Sequence, residues 1–298
     1  MTRRALAIGD ALIDEVRTDT VVGRHPGGAA LNLAVGMSIL GLPTTLAGIV
    51  GDDADGRTLG SFLEGHGTGL IATRGPHGTG IAVSDRTESE PRYEFNAAVR
   101  ERAFYFGNEL RDAAAHAGVV AVNCFPLDNA DQASQLADLL GRTRGLVAVD
   151  PNPRPVLMTD VPAFRRGFEK IAALADIVKF SDEDAALMYG RDAGDVAAGV
   201  LESGRTQAVL LTEGRAGGRI VLPGGVEFTS PIATLPGPIV DTMGAGDATL
   251  ASVLAGVMRG AVDERRPLAG RDWQSLLDDA MRVAAATCRH MGATLRTP

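Results

Sequence analysis

The chain has 298 residues, 45% hydrophobic and 22% charged, a balance typical of a folded, enzyme-sized domain and not of a disordered chain. Its 29 basic and 37 acidic side chains give a net charge of −8, which argues against a nucleic-acid groove lined by Lys and Arg. The two cysteines cannot build a disulfide framework or a cysteine zinc cluster. Asp10 and Asp14 interrupt the apolar N-terminus, and no run approaches the roughly 18 apolar residues of a membrane span. We therefore expect a soluble, cytoplasmic protein whose partners include neither nucleic acid nor a membrane.

Short apolar runs rich in β-branched residues recur along the chain and predict buried strands. Helical patterns lie between them, for example at 129–140 and 161–175. This alternation predicts an α/β fold with a mostly parallel sheet and helices on both faces, in a single domain over 1–298. The predicted strands are 5–9, 45–50, 119–124, 146–150, 177–180, 208–212 and 219–222.

Two segments, 16–24 and 78–99, break the alternation of strands and helices. Both contain β-prone stretches with no helix between them. A small antiparallel flap over one end of the sheet would explain both segments, and surface loops are the alternative interpretation.

The most informative stretch is 241–249, with the sequence DTMGAGDAT. Gly244, Ala245 and Gly246 open a helix, whose first N–H groups are left bare and form an anion site at the positive end of the helix dipole. Asp247 follows in the first turn. A base beside an anion site is what phosphoryl transfer to an alcohol requires, whereas simple helix capping is the alternative role for Asp247. The helix is predicted from an apolar stripe of Leu250, Val253, Leu254, Val257 and Met258.

Two earlier segments place polar groups at the same edge of the predicted sheet. Gly27 and Gly28 precede an almost wholly apolar helix that ends near Gly41, and Asn32 lies in its first turn. Asp14 follows the first strand, where a carboxylate can accept hydrogen bonds from two vicinal sugar hydroxyls. The alternative role for Asn32 is to hydrogen-bond nearby backbone groups. The alternative for Asp14 is an exposed position in a turn.

Taken together, these segments resemble the PfkB (ribokinase-like) family of carbohydrate kinases, in the same order and over the whole chain. Gly27, Gly28 and Asn32 resemble the first signature of the family, and 241–247 resembles the second, which is highly specific. Residues 150–154, DPNPR, resemble an Asp-x-Asn-x-Arg element of the fructokinase branch. Further matches lie at 51–56, 212–214 and 292–293.

The resemblance implies a three-layer ribokinase-like α/β fold with a nine-stranded type of sheet and a small β lid formed by about 12–25 and 77–106. It implies an ATP-dependent sugar kinase that phosphorylates a primary hydroxyl, with Asp247 as general base and the bend Gly244, Ala245 and Gly246 as anion hole. The implied substrate-binding residues are Asp14, Gly27, Gly28, Asn32, Phe95, Asn152 and Arg154. The implied nucleotide-binding residues are Lys179, Ser181, Thr212, Gly214 and Gly246.

The implied cofactors are ATP and Mg²⁺, with K⁺ as a further candidate. The Asn-x-x-Glu element of the family is replaced here by Ser181 to Asp184, which keeps a hydroxyl and a carboxylate at that spacing. Asp184 is therefore the candidate Mg²⁺ ligand, through water. Asp241 is the candidate ligand of a monovalent cation, and a homodimer through the lid is a further expectation from the family.

Fructose is the leading acceptor, and two departures from the fructokinase branch leave other acceptors open. In the lid segment, fructokinase-like members often carry an aromatic residue followed by Arg, whereas here Phe95 is followed by Asn96. Residues 155–158, which follow Arg154, lack the usual Trp. The alternatives are 2-keto-3-deoxygluconate kinase, ribokinase, nucleoside kinase and, in a different class, a non-catalytic sugar or nucleotide sensor. A dinucleotide oxidoreductase is discounted because Gly-x-Gly-x-x-Gly is absent after the first strand. Aromatic surfaces for a nucleoside base would come from Tyr93, Phe95, Phe104, Tyr105 and Phe106.

Overall fold

The structure is a computed structural model that describes residues 4–17, 22–85, 92–259, 268 and 270–298. The strands in these ranges are β1 (Ala5–Gly9), β2 (Leu12–Arg17), β3 (Val22–Gly27), β4 (Thr44–Ile49), β5 (Gly69–Thr73), β6 (Gly80–Asp85), β7 (Arg92–Phe95), β8 (Val119–Asn123), β9 (Leu146–Asp150), β10 (Ile177–Ser181), β11 (Ala208–Thr212), β12 (Gly218–Leu222) and β13 (Val226–Ser230). The helices are α1 (Ala29–Ile39), α2 (Ala54–Gly65), α3 (Ala97–Arg100), α4 (Asn108–His116), α5 (Ala130–Leu140), α6 (Val161–Ala172), α7 (Asp182–Tyr189), α8 (Ala193–Ser203), α9 (Ala245–Arg259) and α10 (Trp273–Thr287).

The larger sheet has nine described strands in the order β13-β12-β11-β10-β9-β8-β1-β4-β5. The strands from β11 to β5 pair in parallel, while β12 and β13 extend the β11 edge as an antiparallel ladder. The mostly parallel sheet predicted from the alternation of elements is therefore confirmed. Parallel pairing brings the carboxyl ends of the central strands to one edge of the sheet.

Helices cover both faces of this sheet because its central strands are apolar on both sides. In β8, Val119 and Ala121 join the core under α1, α9 and α10, whereas Val120 and Val122 join the core on the opposite face. Helix α1 is buried from Ala29 to Met37 between the sheet and α9, as its almost wholly apolar sequence predicts. In the described residues, no helix combines the length and the hydrophobicity that crossing a bilayer requires.

A second sheet has described strands in the order β3-β2-β6-β7 and lies where the lid was predicted, so we call it the lid. The small second sheet predicted from these segments is confirmed, with β2–β3 and β6–β7 antiparallel, but its two central strands, β2 and β6, pair in parallel and not antiparallel. The parallel pair of β2 and β6 begins with Leu12 opposite Gly80 and ends with Arg17 opposite Asp85. Parts of the predicted lid, 18–21 and 86–91, lie outside the described residues.

Side-chain hydrogen bonds fasten the lid to the core. Asp53 caps α2 by accepting from the Gly56 amide at 2.7 Å, and it also accepts from Thr79, through the amide at 2.8 Å and the hydroxyl at 2.7 Å. Asn96 accepts from the amides of Ile81 and Val99 and donates to the carbonyl of Thr79. The base of the lid is therefore held by the same residues that begin α2 and α3. The predicted homodimer through the lid stays a prediction.

Two of the predicted lid aromatics belong to the core instead. Phe104 stacks on Phe125 with ring centroids 4.8 Å apart, and Phe106 meets the edge of the same ring at 6.4 Å. Both are buried because the sheet face beside β8 is apolar. They are therefore unavailable to a nucleoside base, whereas Tyr105 between them is exposed.

Candidate active site

The carboxyl ends of the central strands bring polar side chains to one edge of the sheet. The register places Gly9 beside Asn123, and Asn123 beside Asp150, at the ends of β1, β8 and β9. Ser181 and Thr212 are paired in the same way at the ends of β10 and β11. The first turns of α1 and α9 meet this edge, where Asn32 and Asp247 are hydrogen-bonded to each other.

Asp247 is almost fully buried in the first turn of α9, and two amide side chains hold its carboxylate. Its Oδ2 accepts from Nδ2 of Asn32 at 3.1 Å, and its Oδ1 accepts from Nδ2 of Asn123 at 2.9 Å. Burial raises the pKa of Asp247, although Lys179, the two amide donors and Arg154 oppose that rise. The carboxylate is thus oriented on both oxygens and is more basic than an exposed aspartate.

The bend before Asp247 has the backbone geometry of an anion site. Gly244 has φ +75°, and a Cβ there would lie 2.5 Å from the carbonyl oxygen of Ala293, so glycine is required. The Ala245 amide makes a 3.3 Å turn hydrogen bond to the carbonyl of Thr242. Within the described residues, the amides of Gly246 and Asp247 have no such acceptor. These two amides, rather than that of Ala245, are the free donors at the start of α9.

Asp14 faces the site from lid strand β2. Its Oδ2 lies 1.9 Å from the position that a Cβ on Gly27 would occupy, so the carboxylate rests directly over that glycine. Burial and the neighbouring carboxylates of Asp10, Asp247 and Asp241 raise the pKa of Asp14 to about 7, while Arg154 acts to lower it. Gly28 follows with φ +101°, and a Cβ there would lie 2.7 Å from the carbonyl oxygen of Asp10. Both paired glycines therefore allow a close approach that any side chain would block.

A buried ion pair lies beneath the bend. Nζ of Lys179 is 2.7 Å from Oδ2 of Asp150, and both side chains are almost completely buried. A Cβ on Gly246 would come within 3.0 Å of that Nζ. Burial acts to lower the pKa of Lys179, but Asp150 and Asp184 outweigh it and raise the pKa, so the ammonium stays charged. Burial raises the pKa of Asp150 to about 6 despite Lys179.

The two predicted metal ligands both make backbone contacts. Asp184 and Ser181 form a reciprocal cap at the start of α7, with the Ser181 amide donating to Asp184 Oδ2 at 2.8 Å and Ser181 Oγ accepting from the Asp184 amide at 3.0 Å. Asp241 accepts from the amides of Met243 at 3.0 Å and Gly292 at 3.1 Å. In the described part of the chain, no group of three or more His, Cys, Asp or Glu side chains could hold a metal. Both metal roles stay predictions.

The remaining predicted residues lie around this centre. Asn152 has φ +39° and donates from Nδ2 to Oδ1 of Asn123 at 3.1 Å. Arg154 is exposed nearby, and its positive charge acts to lower the pKa of Asp14 and of Asp247. Thr212 ends β11, and Gly214, with φ +53°, lies in the exposed turn Gly214–Ala216. Phe95 ends lid strand β7, and no hydrogen bond among the described residues joins it to Asp247.

The strand ends hold Asn123, which the sequence did not single out, and Asp150, which it marked only as the first residue of the 150–154 element. Asn123 is fully buried and bonds to Asp247, Asn152 and, at 3.4 Å, the carbonyl oxygen of Ala29. Asp150 is equally buried and ion-paired to Lys179. A polar residue that closes a wholly apolar strand is the available signal, because buried amides and carboxylates require partners.

Comparison with known proteins identifies the family of the chain. The family profile of pfkB family carbohydrate kinases matches residues 4–298. The chain is 32% identical over 269 residues to a fructokinase of Klebsiella pneumoniae, covering 86% of this chain and 85% of that protein. It is 30% identical over 285 residues to a fructokinase of Rhizobium leguminosarum bv. trifolii, covering 91% and 85%.

Among solved structures, the fold is similar to fructokinase with bound ATP from Xylella fastidiosa, with TM-score 0.82 and 22% identity, covering 98% of this chain and 94% of that one. It is also similar to ribokinase from Giardia lamblia, with TM-score 0.81 and 20% identity, covering 99% and 98%. The chain therefore belongs to the pfkB family of carbohydrate kinases. The predicted family, the ribokinase-like fold and the kinase class are confirmed.

Proposed function

We propose that this sugar kinase transfers the γ-phosphate of ATP to a primary hydroxyl of fructose, with Asp247 as the general base. The observation that carries the proposal is the buried Asp247 carboxylate, held by Asn32 and Asn123 beside the free amides at the start of α9. The relatives support the choice of acceptor, because fructokinases match at about 30% identity over most of both chains. A fructokinase from Escherichia coli, 28% identical, aligns over 100% of this chain.

The proposed chemistry follows from the carboxylate and the bend. Each oxygen of Asp247 accepts one amide hydrogen bond and keeps a lone pair that can take the proton of the attacking hydroxyl. A raised pKa brings the base closer to the operating pH, which favours proton transfer. The amides of Gly246 and Asp247, with the Lys179 ammonium beneath them, would stabilise the charge of the moving phosphoryl group.

The residues of the site fit ATP with Mg²⁺. Free amides at a helix start and a buried ammonium suit phosphate oxygens, and Asp184 uses one carboxylate oxygen in its cap while the other has no bond in the described structure. Mg²⁺ in such sites takes few protein carboxylates and keeps several waters, so a dense acidic cluster is not needed. Bound Mg²⁺ would neutralise phosphate charge. Ser181, Thr212 and Gly214 would line the nucleotide, and Asp241 is the proposed ligand of a monovalent cation.

The sugar would be held where the lid meets the core. Asp14, Gly28 and Asn32 are the proposed first contacts, with Asn152, Arg154 and Phe95 around them. Asn96, at the position where the fructokinase branch often carries Arg, has its side chain engaged by the backbone of Thr79, Ile81 and Val99 at the lid base. The acceptor is therefore the part of the proposal that most needs a direct measurement.

A coupled ADP-release assay with ATP and Mg²⁺ across hexoses, pentoses, 2-keto-3-deoxy acids and nucleosides tests the proposal. We expect fructose to give the highest kcat/KM. A higher value for another acceptor would overturn the fructose assignment and leave the kinase assignment in place. Thermal stabilisation by sugar and ATP without ADP release from any acceptor would instead support a non-catalytic sensor.

Sugar affinity should depend on pH through Asp14. A carboxylate that accepts hydrogen bonds from hydroxyls must be ionised, and with its pKa raised to about 7 it is mostly protonated at pH 6 and mostly ionised at pH 8. We therefore expect the Kd of the sugar to fall about tenfold between these pH values. Isothermal titration calorimetry without nucleotide measures it. Asp14→Asn should bind weakly at both pH values, and an unchanged pH dependence in that variant would remove Asp14 from the effect.

Gly27→Ala should weaken sugar binding without a matching loss of turnover. The new Cβ would occupy the place of Asp14 Oδ2, so the carboxylate must swing away from the site. Loss of one hydrogen bond to a charged group costs about 1.5–3 kcal/mol, which predicts a rise in sugar KM of about tenfold or more. Gly60→Ala on α2 is the matched control, because a Cβ there meets no described atom within 4 Å. Equal KM values for the two variants would contradict the prediction.

A further inference from the structure

Five polar residues at the carboxyl ends of β8, β9 and β10 and the start of α9 form a ring through side-chain and backbone contacts. We call Asp247, Asn123, Asn152, Asp150 and Lys179 the polar ring. Nδ2 of Asn123 donates to Oδ1 of Asp247 at 2.9 Å, and Nδ2 of Asn152 donates to Oδ1 of Asn123 at 3.1 Å. The backbone N–H of Asn152 donates to Oδ1 of Asp150 at 3.1 Å. Asp150 pairs with Lys179 at 2.7 Å, and Lys179 lies against Gly246, the neighbour of Asp247.

The ring determines which way the Asn123 amide points. The Asp247 carboxylate and the Ala29 carbonyl only accept, so the Nδ2 end of Asn123 must face them, and Oδ1 of Asn123 then accepts from Nδ2 of Asn152. The reverse orientation would put an amide oxygen against the Asp247 carboxylate and an amide nitrogen against the Asn152 donor. The contact with Asp247 would be repulsive, so Asn123 keeps the orientation in which it donates to Asp247, and the hydrogen bond from Asn152 holds the amide there.

The backbone around Asn123 and Asn152 is held tightly for this arrangement. Asn152 has φ +39° and Cys124, next to Asn123, has φ +54°, and such left-handed conformations in non-glycine residues persist where the surroundings enforce them. A Cβ on Gly9 would lie 1.8 Å from the carbonyl oxygen of Asn123, so β1 approaches β8 as closely as glycine allows. Strained residues at two adjacent strand ends thus accompany an arrangement in which the Asn123 amide reaches Asp247 and the Asn152 amide reaches Asn123.

We propose that Asn123 is a positioning residue for phosphoryl transfer: it orients the Asp247 carboxylate toward the acceptor hydroxyl, and Asn152 acts on Asp247 through it. The proposal rests on the proposed function, in which Asp247 is the base. Asn32 restrains the other carboxylate oxygen from α1, so removal of Asn123 leaves Asp247 attached on one side and free to rotate.

The charges around Asp247 indicate a second effect of Asn123. Lys179 from β10 and Arg154 after β9 act to lower the pKa of Asp247, as do the amides of Asn32 and Asn123, while burial raises it. The carboxylates of Asp14 and Asp150 also face Asp247 and interact with it repulsively. Loss of the Asn123 hydrogen bond therefore raises the pKa of Asp247 further and weakens the ionised, active form.

Asn123→Leu tests the proposal. We expect kcat to fall about 10–100-fold, within the range that loss of correctly positioned acid–base catalysis produces, with the KM values of sugar and ATP within about twofold. The acid limb of kcat should move to higher pH. ¹³C carboxyl titration of the substrate-free protein, with the Asp247 signal assigned by its loss in Asp247→Asn, should show the same displacement. Asn123→Ala, which removes the amide without adding bulk or charge, supplies the same measurements if the leucine variant does not fold.

Gln132→Leu is the matched control for removing a buried amide. Gln132 is buried, and its Oε1 accepts from the Phe104 amide at 2.7 Å, outside the polar ring. We expect its melting temperature to fall while the acid limb and the Asp247 titration stay in place. An equal displacement in Gln132→Leu would show that the effect is general destabilisation and would overturn the proposal.

Asn152→Gly separates action through Asn123 from direct contact with sugar. Glycine accepts the positive φ without strain, so the variant loses the amide alone. We expect a smaller fall in kcat in the same direction, and no additional fall in the double variant with Asn123→Leu. If Asn152→Gly changes only the sugar KM, and its effect adds to that of Asn123→Leu in the double variant, the indirect role of Asn152 is overturned.

Failure of the inference is distinguishable from failure of the proposed function. If Asp247→Asn retains turnover, the proposed base is wrong whatever Asn123 does. If Asp247→Asn is inactive while Asn123→Leu keeps both its turnover and the Asp247 titration, the base stands and the positioning role is wrong.

Discussion

Asp247→Asn is expected to lower kcat by at least about 100-fold, the low end for loss of a general base, with sugar and ATP dissociation constants within about threefold. The amide keeps the shape of the side chain but cannot take the hydroxyl proton. Single-turnover kinetics at saturating substrates measures the chemical step, and calorimetry measures the binding.

Asp195→Asn is the control for this variant. Asp195 also lies in the first turn of a helix, α8, but it is exposed and pairs with Arg191 at the surface. If Asp247 did no more than complement the helix dipole, both variants would lose a few tenths to about 1 kcal/mol of stability and neither would lose turnover. Near-normal turnover in Asp247→Asn would therefore assign Asp247 a capping role.

Lys179→Met is expected to destabilise the fold by about 3–5 kcal/mol, because it leaves the fully buried Asp150 without its counter-ion. Urea unfolding at pH 7 measures the loss. Burial raises the pKa of Asp150 to about 6 even with Lys179 present, and loss of the ammonium raises it further. Protonation on lowering the pH to 5 removes the unpaired charge, so the variant should recover stability relative to the wild type as the pH falls.

Two comparisons test this explanation. The double variant Lys179→Met/Asp150→Asn should recover much of the stability, because the uncompensated charge is gone. Arg191→Met, which breaks an exposed pair with Asp195, should change stability by less than about 1 kcal/mol. If the double variant is as unstable as Lys179→Met alone, the destabilisation arises from lost packing and not from the buried carboxylate.

The central strands could be predicted from the sequence because both of their faces are buried. The predicted ranges 5–9, 146–150 and 208–212 coincide with β1, β9 and β11. The strands β5 and β13 escaped prediction, since they lie at the sheet edges and mix exposed with buried positions. The parallel pairing of β2 with β6 is also invisible locally, because it joins two strands distant in sequence.

The site residues likewise fall into those that local sequence reveals and those that depend on distant contacts. The bend at Gly244 and the glycines at Gly27 and Gly28 are recognisable because tight backbone geometry restricts them to one residue type. Asn123 had no such signal, since its contact with Asp247 joins residues 124 positions apart. A single polar residue at the end of an apolar strand becomes interpretable once the partners across the sheet edge are known.

The separation of the two sheets has a consequence for how acceptor preference can change. The larger sheet and its helices carry the proposed base and anion site, whereas the smaller sheet carries Asp14 and Phe95 and is joined to the core through Asp53 and Asn96. Grafting the four-stranded element of another sugar kinase onto this body would exchange recognition while retaining the machinery of transfer. Acceptor preference could therefore be changed by exchanging the smaller sheet, with the two parts joined at the glycine and asparagine positions of the junction.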